Sequence, residues 1–459
     1  MDYKKVVWIS LDALRADCIG PVRRKLYDKE YRVRTPLKRS KLDEICEKSF
    51  LFTDTISVAP YTSTSHASYF TGLWPKNHGL YDQFNHPLRK GVRTIFQLAK
   101  DNGFKTLFKT DSPFILGKYL GLTRGVDAYY AGDDTHLIDE IKKNGRMFAF
   151  IHFAKFHYPY GFHSLEFGGD DYLRKIEELE RKHSILAGKP NFEDMATETF
   201  RTEEDLELLF RYKKIIAHLY SRREDDALFN LYLEGINYFN EKFLNKFLSD
   251  LLAALEGEDY LLIISSDHGE GWNDETYGHH NSVDEGLTRV LLAFHAPDIP
   301  PGKHQNRVRT IDVFPTIAEM VFNAHPSVDG ATLAPLMRGG VAEESRPAFS
   351  AVWVTDLAEL VRKAHSIVRQ DRITTRRDAS VRYSAAAYLG EYKCEVSYKH
   401  FVARGQALAD ANSTKLYRIA SATDIRPAVN GAMKRKLVAL IGNLNAVGTK
   451  ALPKAVKGK

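Results

Sequence analysis

The chain has 459 residues, 44% hydrophobic and 27% charged, a balance that excludes a disordered or collagen-like polymer. No apolar run reaches the ~20 residues that a membrane span requires, and the length allows roughly two to four domain-sized units or one large α/β core with an appendage. The net charge of +6 hides a division: from Val361 onward 20 Lys and Arg face 6 Asp and Glu, about +14, which leaves about −8 on the first 360 residues.

In chain order, Val6–Leu11 is a short apolar run that reads as a buried strand ending at a carboxylate, Asp12. The run is too short for a signal segment and no small-residue cleavage site follows, so a reducing, cytoplasmic setting is expected. Cys18, Cys46 and Cys394 are odd in number and far apart, which fits neither a disulfide framework nor a zinc knuckle. Helical periodicity marks 37–48, then 65–71 behind a hydroxyl cluster, then 94–102. Strands are predicted at 104–108 and 147–153. Residues 168–223, rich in Glu, Lys and Arg, read as a helical insertion, either a solvated hairpin or a substrate lid. A long helical stretch spans 231–255. The strand at 260–266 again ends at a carboxylate, Asp267, and another strand follows at 291–294. Strands alternating with helices predict a layered α/β domain, whose ligand sites lie at the carboxyl ends of the strands. From Gly448 the composition is that of a frayed terminus.

Three distant segments carry the chemistry. They are Ser10–Asp17, the run Ala59–Pro75 with His78 and Gly79 behind it, and Ser265–Glu270 with Gly278–Ser282 just beyond. Two strand-end carboxylates, Asp12 and Asp267, with the imidazole of His268 form a plausible cation site. The hydroxyls of Thr62, Ser63, Thr64 and Ser65 precede a helix, whose N-terminus favours anions and could hold a nucleophile toward a tetrahedral oxyanion ester. Taken singly, each segment has a plainer reading: Asp267-His268-Gly269 as a turn, Thr62 or Ser63 as an N-cap, Asp12 as a cap of the following helix.

Together and in this order, the segments resemble the alkaline phosphatase/sulfatase superfamily in its sulfatase-like branch, over about Val6 to Gly340. Leu11–Asp17 resembles its first metal motif, Ser65–Gly72 with Pro75 and His78-Gly79 its anchor, and Ser266–Gly269 its second metal motif. Val308–Ile317 and Asp329–Gly339 resemble segments downstream. The resemblance implies an α/β, alkaline-phosphatase-like three-layer α/β/α sandwich with a helical insertion and a smaller C-terminal subdomain. Residues 1–345 would form the catalytic domain, with the insertion at about 168–223, and 346–459 the basic subdomain and tail. It further implies that Asp12, Thr62, Asp267 and His268 hold one divalent cation, and that Thr62 is the nucleophile. His157 would contact substrate or protonate the leaving group, and His279 would bind the transferring group, with His280 its close rival. His66 stands where sulfatases carry an arginine beside the nucleophile. His152 reads as a core residue or a support behind the site, and His78 as a turn buttress. Ser65, His280, Arg376 and Arg377 are candidates for substrate contact.

Four departures narrow the chemistry. Thr62 falls where sulfatases carry the Cys or Ser that matures to formylglycine, so that group is not expected. Threonine there is similar to the phosphodiesterases and the phosphoethanolamine or phosphoglycerol transferases of the superfamily. The Gly-Lys-Trp-His element of sulfatases is also missing: the chain reads Lys109-Thr110-Asp111-Ser112-Pro113. Phe153, four before His157, departs from the Asp of two-metal relatives and favours one tightly held ion, with His157 and His279 able to hold a weaker second one. Ala13 replaces a carboxylate of the sulfatase calcium site, which favours Mn²⁺ or Zn²⁺ over Ca²⁺ or Mg²⁺. The expected activity is metal-dependent hydrolysis of phosphate mono- or diesters through a phosphothreonine. The alternatives are a phosphotransferase acting on a glycan or lipid head group, a sulfatase, and a non-catalytic polyanion-binding member. The basic C-terminal part, with Arg369, Arg372, Arg376, Arg377 and Arg382, would steer a large anionic substrate or bind nucleic acid nonspecifically.

Overall fold

The apolar runs become strands buried on both faces. In β1 (Lys5–Leu11), Val7, Ile9 and Leu11 join one core cluster while Val6 and Trp8 join another, as the two-residue period of a strand demands. The computed structural model describes residues 2–23, 31–81, 87–160, 170–185, 203–273, 276–279, 282–340, 346–354, 381–401, 411–421 and 424–445. The central sheet adds β2 (Phe50–Phe52), β3 (Lys105–Thr110), β4 (Ala128–Ala131), β5 (Met147–Phe153), β6 (Tyr260–Ser265), β7 (Leu292–His295) and β8 (Gly302–His304), in the order β8-β2-β7-β6-β1-β5-β3-β4. The five strands β6-β1-β5-β3-β4 are mutually parallel, and β7 runs against β6.

Helices cover both faces. One layer holds α1 (Lys41–Glu47), whose start is fixed by a Ser40/Asp43 capping box, and α4 (Leu137–Lys143). The same layer takes α5 (Asp170–His183), α6 (Glu203–Ser221), α7 (Asp225–Phe239) and α8 (Asn245–Leu255). The other holds α2 (Thr62–Thr71), α3 (Ile95–Asp101), opened by a Thr94/Gln97 capping box, and α9 (Val313–Phe322). The long helical stretch begins at Asp225, where Asp225 and Asp226 complement the helix N-terminus. It is interrupted by a π-helical turn, Asn240–Leu244, that leaves Phe239, Phe243 and Phe247 stacked in a row at 5.5 and 5.6 Å. Within the insertion, α6 sends Tyr212, Ile215, Ile216 and Leu219 into the core, and the Tyr212 hydroxyl donates to the Tyr160 carbonyl at 3.2 Å. The insertion is thus seated on the segment that follows His157.

The C-terminal part forms an antiparallel sheet, β9 (Ala348–Val354), β10 (Val381–Leu389), β11 (Tyr392–Phe401), β12 (Ala411–Ser421) and β13 (Asp424–Pro427), paired in chain order, with α10 (Gly431–Asn445) packed on it through Leu437 and Ile441. Val58, Ala59 and Tyr61, the residues leading into α2, share that packing, and Ala351 donates its N–H to the Val58 carbonyl at 2.9 Å. Cys18, Cys46 and Cys394 are buried thiols, and none is in a disulfide among the described residues. Among the described residues no helix is long and apolar enough to cross a membrane.

Candidate metal centre and active site

Parallel pairing of β1 with β5 and β6 aligns Ser10 with both His152 and Ser265, so the three strands end side by side. Asp12, His152 and the Asp267-His268 pair therefore converge, and α2 points its first turn at them. That helix begins at Thr62, three residues earlier than periodicity predicts, so the hydroxyl cluster is its first turn. Ser65 holds it in place by donating to the Asp267 carbonyl at 2.7 Å, an acceptor it shares with Ser57. At the far end Gly72 takes a left-handed conformation (φ 68°) against Phe314.

Thr62 Oγ1 lies 3.4 Å from Asp12 Oδ2 and 3.3 Å from His268 Nε2. Each carboxylate has one oxygen committed. Asp267 Oδ1 accepts from the backbone N–H groups of Ala13 (3.2 Å) and His268 (2.9 Å), and Asp12 Oδ2 accepts from His152 Nε2 at 3.1 Å. The remaining oxygens, Asp12 Oδ1 and Asp267 Oδ2, are buried without a hydrogen-bond partner among the described residues, 3.2 and 3.5 Å from His268 Nε2. Buried polar atoms left this way are costly unless something pairs with them. Two orphaned carboxylate oxygens, one imidazole and one hydroxyl are a donor set that fits a divalent cation.

The electrostatics agree. Burial pushes the Asp12 carboxyl up, but His157, His152 and His268 outweigh it and hold the group well below the ordinary carboxylate range. Burial and the neighbouring Asp12 raise Asp267 to about 6. Burial opposes a charged His268, yet Asp267 and Asp12 overcome it and raise the ring to about 9.

A second histidine pair stands over this centre. His279 stacks on His268 with centroids 4.5 Å apart, and its Nε2 lies 2.9 Å from His157 Nε2. Its Nδ1 faces Glu270 Oε2 at 3.1 Å. Burial drives Glu270 up to about 7, and burial with His157 and His268 drives His279 well down. Glu270 is a site residue to which sequence reasoning gave no role. Its only signal was a carboxylate two residues beyond His268.

The other candidates fall as follows. His66 is wholly buried, donating Nδ1–H to the Thr62 carbonyl (2.8 Å) and facing Ser10 Oγ with Nε2 (2.9 Å). Burial holds it down to about 3. It sits behind Thr62, and its Nδ1 also lies 3.7 Å from Asp267 Oδ2, so that His66, His152 and Asp267 form a second group of close-set potential metal ligands. Ser65 is likewise behind Thr62. His78 buttresses the turn after α2 through Ser68 Oγ (2.9 Å) and the Leu80 N–H (3.1 Å). His280, Arg376 and Arg377 lie outside the described residues. Lys109 and Asp111, where the Gly-Lys-Trp-His element is missing, pair at 2.6 Å in the interior, and Lys109 also meets Asp134 at 2.5 Å.

Sheet order, layer arrangement and the strand-end cluster define an alkaline-phosphatase-like fold with a candidate metal-dependent site. The family model described as Sulfatase matches residues 4–323, and the chain belongs to the sulfatase family, whose members are hydrolases. Among curated relatives, the choline-sulfatase of Rhizobium meliloti (strain 1021) is 30% identical over 112 residues, a match spanning 24% of this chain and only 22% of that protein. The chain is similar in fold to the phosphonate monoester hydrolase of Agrobacterium radiobacter, with a TM-score of 0.59 at 16% identity, covering 96% of this chain and 95% of that one. It is also similar to BT4656, solved with its substrate D-glucosamine-2-N,6-O-disulfate, with a TM-score of 0.62 at 13% identity, covering 96% and 97%. At these identities the structural likeness establishes the fold alone.

Proposed function

We propose that the protein hydrolyses phosphate esters, mono- or diesters, with one divalent cation, Mn²⁺ or Zn²⁺, and with Thr62 as nucleophile. The observation that carries this reading is the place of Thr62 Oγ1, on the first turn of a buried helix and within 3.4 Å of both Asp12 and His268. The cation, held by Asp12, Asp267, His268 and Thr62, would supply Lewis-acid charge where the hydroxyl loses its proton.

The chain's own groups account for the rest. The first-turn N–H groups of α2 face the incoming anion. Thr62 Oγ1 attacks phosphorus, and the bond from phosphorus to the alcohol oxygen breaks. That oxygen takes a proton from the His157–His279 pair. His157 Nδ1 donates to the Tyr158 carbonyl at 2.7 Å, His279 Nδ1 faces Glu270 at 3.1 Å, and the two Nε2 atoms, 2.9 Å apart, share the proton that reaches the departing oxygen. Water then displaces the phosphoryl group from Thr62, giving a proton back to the His157–His279 pair and releasing phosphate from a monoester or the phosphate monoester from a diester, while the Thr62 oxygen regains from solvent the proton it had released there.

The competing sulfatase reading draws on the choline-sulfatase and BT4656. Against it stands a threonine where formylglycine would be needed. The test is a panel of aryl phosphate monoesters, diesters, phosphonates and sulfates with Mn²⁺ or Zn²⁺ added. Phosphate esters should be turned over fastest, and mass spectrometry of acid-quenched enzyme should find phosphate on Thr62. Thr62→Ala should abolish turnover with the thermal midpoint unchanged; activity like wild type in that variant would remove the nucleophile assignment, and preference for the sulfate would reverse the substrate class.

A further inference from the structure

The cation site has a wall that the proposed chemistry leaves unexplained. His152 is wholly buried in β5, between Ser10 of β1 and Thr110 of β3 in register. Its Nε2 lies 3.1 Å from Asp12 Oδ2 and its Nδ1 lies 3.0 Å from Thr110 Oγ1. Thr110 Oγ1 accepts the Ser112 N–H at 3.0 Å, which leaves its own proton for His152 Nδ1. The ring therefore presents Nε2–H to the carboxylate. The His66 ring meets it edge-on at 5.3 Å, with Nδ1 donating to the Thr62 carbonyl and Nε2 facing Ser10 Oγ, so His66 packs the His152 ring in place.

We infer that His152, oriented by Thr110, determines which divalent cation the site accepts. By occupying Asp12 Oδ2 it leaves Asp12 one oxygen to give, as the Ala13 and His268 N–H groups leave Asp267 one. Two carboxylates then offer two oxygens rather than four. Ca²⁺ requires six to eight oxygen ligands and commonly takes carboxylates through both oxygens, whereas Zn²⁺ is satisfied by about four donors including imidazole. His152 is a positioning residue in this account. It rests on reading Asp12 as a ligand, and the test separates the two.

Chelator-stripped full-length protein is titrated with Zn²⁺, Mn²⁺ and Ca²⁺ against a chromogenic chelator, for wild type and for His152→Leu, His152→Gln and Thr110→Val. Wild type should prefer Zn²⁺ and Mn²⁺ to Ca²⁺. His152→Leu frees the second Asp12 oxygen and should lower that preference roughly 10- to 100-fold, the usual reach of groups that orient a metal ligand. His152→Gln, whose amide nitrogen reaches the same oxygen, should keep it, and Thr110→Val should lower it less than His152→Leu. A folded His152→Leu with the wild-type preference overturns the inference, as does His152→Gln losing as much as His152→Leu. Should His152→Leu not fold, an unchanged preference in Thr110→Val overturns it instead. Wild type that binds none of the three ions sinks the metal centre itself.

Discussion

His268 is the residue on which pH acts most cleanly. Its ring, raised to about 9 in the fold by Asp267 and Asp12 despite burial, has an ordinary value of 6.5. A group raised on folding lends stability that is complete below its unfolded value and is lost as pH rises through the folded one. Asp267 and Glu270 act in the same direction but at lower pH, from 3.8 to about 6 and from 4.5 to about 7. Metal-free protein should therefore lose thermal stability between pH 6.5 and 9. His268→Gln should flatten that slope and a bound cation should suppress it, since the cation takes the place of the proton. Melting curves in chelator across this window check the point, and a level wild-type profile would contradict it. Asp12, Thr62, Asp267 and His268 were legible in the sequence because each closes an apolar run or opens a helix. Glu270 and Thr110 were not. Thr110 depends on the sheet register that sets it against His152, and Glu270 on the chain after β6 returning to bring His279 to it, and no local pattern encodes either pairing.

At the level of elements, the turn carrying Asp267 and His268 is held by close backbone contact. Gly269 donates to the Leu287 carbonyl at 2.8 Å, and a Cβ added to it would stand 1.9 Å from the Gly286 carbonyl oxygen. Gly269→Ala must push two backbone segments apart, so it should destabilise the fold by about 3 kcal/mol or more and displace the His268 ring. Gly271→Ala is the control, because its Cβ would meet Leu287 at an ordinary 3.4 Å. Equal thermal midpoints for the two variants would refute the argument. The parallel strands β1, β3, β5 and β6 were readable as apolar runs because burial leaves little alternation to blur, whereas β4 (Ala128–Ala131), at the edge of the sheet and only partly buried, was not. The Ser384–Tyr388 stretch of β10 was not, since three consecutive alanines carry a helical rather than an extended preference. Packing overrides that preference: Ala385 and Ala387 share a core cluster with Leu437 and Ile441 of α10, and Ala386 faces the opposite cluster with Ile56 and Val283.

Across the whole molecule, the division between an acidic body and a basic C-terminal part is partly an internal pairing. Lys393 of β11 is buried against the body, donating to the Val283 carbonyl at 2.8 Å and meeting Glu285 at 3.1 Å. Tyr388 donates to the same Glu285 carboxylate at 3.1 Å. Burial disfavours the Lys393 charge, but Tyr388, Glu285, Glu395 and Asp284 more than restore it. Lys393→Met leaves carboxylates buried without this cation and should cost about 3–5 kcal/mol, read as a lower denaturation midpoint; an unchanged midpoint would show that the pairing is not stabilising. Of the basic residues named from the sequence, Arg369, Arg372, Arg376 and Arg377 lie outside the described residues, and Arg382 stands in β10 opposite Val354 of β9. The C-terminal sheet meets the body at two places at once, the Val58–Tyr61 approach to Thr62 and the Val283–Glu285 stretch beyond His279. A chain clipped at residue 345 would lose packing behind both the approach to Thr62 and the stretch beyond His279, although every residue of the proposed chemistry would still be present. The unit that holds the proposed site is therefore larger than the segment that carries its motifs, and an engineer borrowing the site for another scaffold would have to bring the far sheet along.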